Sequence, residues 1–131
     1  MTESDAQKQI LDWLKLKGFY CLRINSGNIA QSYHGDTRYI QLAPRGTPDV
    51  FCIVNGCPVF IEVKKDEKAI NQWKKQWENF QKTARVTPYN QRSVDQHKQM
   101  NKIREAGGFT IVACDAKMVE DDLIALSILT R

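Results

Sequence analysis

Residues 46–65 read GTPDVFCIVNGCPVFIEVKK. Two apolar runs flank Asn55-Gly56, a dipeptide that between strand-like segments is the strongest short-range signal for a tight hairpin. A two-residue turn there sets the register. Val54 opposes Cys57, Ile53 opposes Pro58, Cys52 opposes Val59, Phe51 opposes Phe60 and Val50 opposes Ile61. One step further out, Asp49 opposes Glu62. Hydrogen-bonded and non-bonded pairs alternate from the turn outward, so Pro58 falls at a non-bonded pair, where its missing N–H costs no hairpin bond. Asp49 and Glu62 are also a non-bonded pair, the type with the closest side chains, with Cβ atoms roughly 4.5–5.5 Å apart. Lys64 is two residues past Glu62 and shares its face.

Like charges directly opposite one another destabilise a sheet. Where they are partly desolvated, one carboxylate takes up a proton or a cation sits between them. Two carboxylates from adjacent strands offer oxygen-only ligation, which suits a hard divalent cation such as Mg²⁺ or Mn²⁺. A lysine beside them can orient a water or neutralise charge developing on a phosphate. The bland alternative is three solvated charges at strand ends. Opposition in register, a third residue on the same face and apolar flanks favour the metal-assisted hydrolytic reading.

The rest of the chain supplies a frame for this hairpin. Its 131 residues are enough for one domain with a hydrophobic core. With 42% hydrophobic and 26% charged residues, the composition is that of a globular protein. No apolar run approaches the length of a membrane span, and the polar start MTESDAQKQ is not a signal peptide, so a cytoplasmic chain is expected. Cys21, Cys52, Cys57 and Cys114 lie in or beside apolar β-type runs without zinc-site spacing, and are expected to be free thiols. The net charge of +4 is compatible with nucleic acid without requiring it.

Apolar periodicity predicts a helix over 3–17, ended by Gly18, then a strand over 19–24. Residues 25–36, NSGNIAQSYHGD, read as a polar loop, and 38–43 as a short strand. After the hairpin a helix runs from Asp66 to about Ala84. Its stripe of Ile70, Trp73, Trp77, Phe80 and Ala84 either packs on its own core or forms a dimer face. Its lysines, with Arg85, either follow a phosphate backbone or are simply solvated. A capping box, SVDQ, places a further helix start at Ser93, with Gln96 at the third helical position. A buried strand over 109–114 follows, then a helix capped by Asp115 and running to Leu129. The order describes a mixed α/β domain around one sheet.

GTPDV, a hairpin spacer and IEVK resemble the PD-(D/E)XK nuclease motif, and more narrowly the VRR-NUC (virus-type replication-repair nuclease) family. ESDAQKQILDWLKLKGF, RINSG and QHKQMNKIREAGG resemble the flanking blocks of that family in the same order, from Glu3 to about Cys114. The resemblance implies a restriction-endonuclease-like αβββαβ core, with a mixed central sheet flanked by helices, and cleavage of DNA with Mg²⁺ or Mn²⁺. Typical members have a short connection where this chain has a helical insertion at about 66–92.

By position, the resemblance makes Asp49 and Glu62 metal ligands, with the Val63 backbone carbonyl, and Lys64 the catalytic lysine. Gln96 becomes the supporting helix glutamine, although the capping box explains it equally well. Glu3 becomes a further acidic residue near the metal, although a solvated glutamate near a helix N-terminus is simpler. Arg23, Ser26, Arg45, Lys65 and Lys68 are the candidate nucleic-acid contacts. Small single-domain members resemble Holliday junction resolvases, which act as homodimers on branched DNA. Cutting of flaps, ends or single strands is the alternative, followed by a non-catalytic DNA-binding module on the same fold.

Overall fold

The computed structural model describes residues 1–24 and 28–130. The elements run α1 (Glu3–Leu16), β1 (Tyr20–Arg23), β2 (Asn28–Tyr33), β3 (Asp36–Gln41), β4 (Val50–Val54), β5 (Cys57–Val63), α2 (Glu67–Thr83), α3 (Gln91–Glu105), β6 (Phe109–Ala113) and α4 (Ala116–Ala125). The main sheet has the order β1-β4-β5-β6. Its first three strands are antiparallel, and β6 runs parallel to β5. A parallel pair needs a long crossover, which α2 and α3 supply. This is the expected mixed sheet flanked by helices.

The hairpin register is the one the sequence dictates, from Val54↔Cys57 to Val50↔Ile61. Asn55 and Gly56 both take positive φ, 49° and 80°, as a primed two-residue turn requires. The Asn55 amide also donates to the Ile128 carbonyl at 2.7 Å, tying the turn to the end of the chain. Pro58 precedes the first β5–β6 pair, Val59↔Phe109, so it interrupts neither ladder.

Strand alternation gives the hairpin two different faces. Val50, Cys52, Val54, Val59, Ile61 and Val63 are fully buried and form the core beneath α1 and α4. From α1 come Ala6, Ile10 and Leu14, and from α4 Val119 and Leu123. The opposite face carries Phe51 tilted against Phe60, with ring centroids 5.0 Å apart, and then Glu62. There α2 and α3 cover the sheet.

Helix ends follow local chemistry. Thr2 and Asp5 form a reciprocal capping box on α1, Asp66 caps α2 through the Ala69 N–H, and Asp115 caps α4 through the Met118 N–H. The SVDQ box expected at α3 does not form. The helix starts three residues earlier, with Asn90 at the cap and Gln91 the first helical residue, and Ser93 lies inside it. Ser93 instead bonds the Gln76 side chain of α2. The last helix stops at Ala125, short of Leu129, and Ser127 then takes a positive φ of 61°.

Residues 28–36, expected as part of a loop, form β2 and the turn to β3. His34-Gly35, with φ of 49° and 81°, makes a second primed turn. Among the described residues this hairpin contacts no other helix or strand. All four cysteines are free thiols. Among the described residues no helix is long and apolar enough to cross a membrane.

Candidate active site

The hairpin ladder stops at Val50↔Ile61, before the position where Pro48, which has no N–H to give the Val63 carbonyl, would face Val63. The Val63 N–H goes instead to the Asp49 carboxylate, which accepts it at 2.9 Å through Oδ2. The Asp49 carbonyl accepts the Ile24 N–H at 2.7 Å. Asp49 is thus fixed at both backbone and side chain beside Glu62.

Glu62 is 1% exposed, the deepest charged side chain among the described residues. Its two oxygens have different surroundings. Oε1 faces the Lys64 ammonium at 3.4 Å and accepts from the Gln96 amide at 3.1 Å. Oε2 is buried with no hydrogen-bond partner among the described residues. An orphaned carboxylate oxygen is costly, and with the charge of Asp49 also acting on Glu62 the group calls for a proton or a cation. Burial, then the charge of Asp49, raises the Glu62 pKa from 4.5 to about 8, against the opposing pull of Lys64.

Gln96 joins the group from α3. Its Oε1 accepts from Lys64 at 3.1 Å and from the Trp73 indole at 2.7 Å, while its amide nitrogen donates to Glu62. The failed capping box is what frees it: Gln96 is buried against the sheet rather than folded back on the helix start. Trp73 stacks on His97 at 3.6 Å, and Trp77 stacks on the same imidazole at 4.7 Å. Ile70, Trp73 and Trp77 of the α2 stripe therefore pack within their own chain, whereas Ala84 is exposed beyond the helix end, and burial holds the His97 imidazole neutral, with a pKa lowered to about 4.

Two clefts flank the group. One, of about 350 Å³, is lined by Arg45, Thr47, Asp49, Arg92 and Gln96 among others. The other, of about 360 Å³, is lined by Glu3, Lys64, Lys65 and Trp73 among others. Glu3 stands at the rim, 3.8 Å from Arg92. Among the described residues no three carboxylate, imidazole or thiolate groups converge as a metal cage, so Glu3 is not gathered in with Asp49 and Glu62. Arg23 is exposed and pairs with Val50, next to Asp49. Lys68 is exposed on the first turn of α2 and lines neither cleft. Ser26 lies outside the described residues.

The donor set fits a hard divalent cation: two carboxylates, one with a free buried oxygen, on adjacent rigid strands. The Val63 carbonyl and water are the available remaining oxygens. Sequence reasoning missed Trp73 and Arg92 as members of this region. Trp73 reads there only as an apolar stripe residue, and nothing local marks its N–H for a partner 23 residues away.

Gly46 holds the turn against α3. Its φ is +84°, and a Cβ there would lie 2.4 Å from the Asp95 backbone and 2.7 Å from the Gln96 nitrogen. Gly46→Ala therefore meets both a left-handed backbone and a clash with a helix, and should cost roughly 2–4 kcal/mol. A urea midpoint equal to wild type would contradict this.

The sequence matches no family model and no curated protein. It is similar to a solved structure described as a VRR_NUC domain, 23% identical, with a TM-score of 0.50, covering 95% of this chain and 97% of that one. This chain therefore has the fold of that VRR_NUC domain, with the GTPDV–IEVK hairpin at its centre.

Proposed function

We propose that this chain is a divalent-metal-dependent DNA endonuclease. The observation that carries this reading is the buried, unpartnered Oε2 of Glu62, a carboxylate that feels the charge of Asp49 and has Lys64 and Gln96 gathered on its other oxygen. A purely structural carboxylate is expected to have both oxygens satisfied. The VRR_NUC-type fold supports the same conclusion.

Asp49, Glu62 and the Val63 carbonyl would hold Mg²⁺ or Mn²⁺, which supplies Lewis-acid polarisation of a phosphate and a hydroxide from bound water. Lys64 stands ready to donate to a phosphate oxygen as charge develops there. Gln96 holds Glu62 and Lys64 in place. Arg45 lines one cleft and Lys65 the other, and in this reading they contact backbone phosphates on either side of the cut, with exposed Arg23 and Lys68 extending that basic surface.

The preferred substrate is branched DNA, cut in the manner of a Holliday junction resolvase by a homodimer, since symmetric cuts need two sites. Flaps, ends and single strands are the alternatives. Four-way junctions, flaps, linear duplex and single strands, each incubated with Mg²⁺ or Mn²⁺ and with chelator, decide among them. Paired symmetric cuts in the junction are expected. Flap cutting without junction cutting removes the resolvase reading. DNA binding with no cutting under any divalent metal leaves only the binding-module reading.

A further inference from the structure

We propose that Trp73, on the helix between the hairpin and Gln96, is a positioning residue that fixes which way the Gln96 amide faces. The proposal rests on the nuclease reading for its kinetic consequence, while its structural half stands separately.

An amide side chain has an acceptor end and a donor end. At Gln96 the surroundings are chemically polar in the same sense. An indole N–H and an ammonium, both donors only, converge on Oε1 at 2.7 and 3.1 Å. The Glu62 carboxylate faces the nitrogen at 3.1 Å. Turning the amide over would point its NH₂ at two donors and its oxygen at a carboxylate. Lys64 cannot enforce this alone, because its ammonium must turn toward a phosphate during reaction. The indole N–H has no such second task.

The indole is itself held firmly. It is 6% exposed, with its face stacked on His97 at 3.6 Å. That imidazole lies between Trp73 and Trp77, one helical turn apart on α2, and Trp77 stacks on Phe80 at 5.3 Å. The Lys64 ammonium also lies 5.7 Å from the Trp73 ring centroid, so one indole steadies both partners of Glu62. With the amide so oriented, its donor and the ammonium both occupy Oε1, and Oε2 is left open.

Trp73→Phe keeps the ring and removes the N–H. It is expected to lower kcat on the order of 10- to 100-fold, with KM for DNA little changed. Trp77→Phe, at a ring that stacks on His97 but makes no hydrogen bond to Gln96, serves as control and should keep kcat within about twofold of wild type. A folded Trp73→Phe protein with wild-type kcat overturns the proposal. So does an equal loss in both variants, which would assign the effect to aromatic packing.

The second arm uses NMR on metal-free protein and needs no cleavage. Gln96→Leu should move the Trp73 indole N–H resonance upfield and speed its solvent exchange. An unchanged resonance and exchange rate overturn the proposal even where Trp73→Phe does not fold. Should wild type cut nothing, the nuclease reading fails, and this arm still decides the placement of the amide.

Discussion

Glu62→Gln is expected to make the metal-free protein more stable at pH 8 and to abolish metal-dependent cleavage. The two effects have one cause. In the folded chain burial and Asp49 raise the Glu62 pKa to about 8, above its ordinary 4.5. A carboxyl with a raised folded pKa binds its proton more tightly when folded. Its contribution to stability is complete below pH 4.5 and is lost as pH rises toward 8.

His97 acts in the opposite sense. Its folded pKa is lowered from 6.5 to about 4, so its contribution is complete above pH 6.5 and is lost only as pH falls below that. The window from pH 6.5 to 8 therefore reports Glu62. Across it the Tm of the metal-free wild type should fall, and the glutamine variant should show a much flatter profile. Each kcal/mol recovered is worth roughly 3–6 °C in a domain of this size. Saturating Mn²⁺ should raise the wild-type Tm in the same window and leave the variant unmoved. Cleavage should drop on the order of 10³-fold, because a neutral amide oxygen replaces the ligand that the buried site supplies. A wild-type Tm that is flat or rising from pH 6.5 to 8 without metal would remove the electrostatic account.

Asp49→Asn is expected to remove cleavage while preserving DNA binding, or improving it. Asp49 has two separable roles here. Its Oδ2 accepts the Val63 N–H at 2.9 Å, closing the ladder where Pro48 leaves the sheet. An asparagine carbonyl can accept the same bond, so the hairpin end should keep its geometry. The charge is what disappears, and with it the proposed cation ligand and one source of repulsion toward phosphate. Gel-shift affinity at or above wild type, with the loss of cutting, fits this division. Retained cutting would show that Asp49 is not a metal ligand.

The hairpin was legible because its determinants are local. Asn55-Gly56 sets the turn, Pro58 admits a single register, and alternation puts Glu62 and Lys64 on the face away from Ile61 and Val63. The second hairpin was not, because Asn28–Tyr33 is polar and its His34-Gly35 turn lacks the Asn-Gly signature. SVDQ misled because a capping box competes with tertiary contacts. Ser93 bonds α2, and Gln96 serves the sheet, so the helix begins at Gln91 instead. The Trp73–Gln96 bond joins helices by way of their packing, and no spacing along the chain encodes it.

The proposed nuclease chemistry depends on the Asp49–Glu62 pair binding a divalent cation. A calorimetric titration of Mn²⁺ into metal-free wild type, with Glu62→Gln in parallel at pH 8, tests it most directly. Saturable uptake by wild type and none by the variant is the predicted result. Equal uptake by both proteins, or none by wild type, would contradict it.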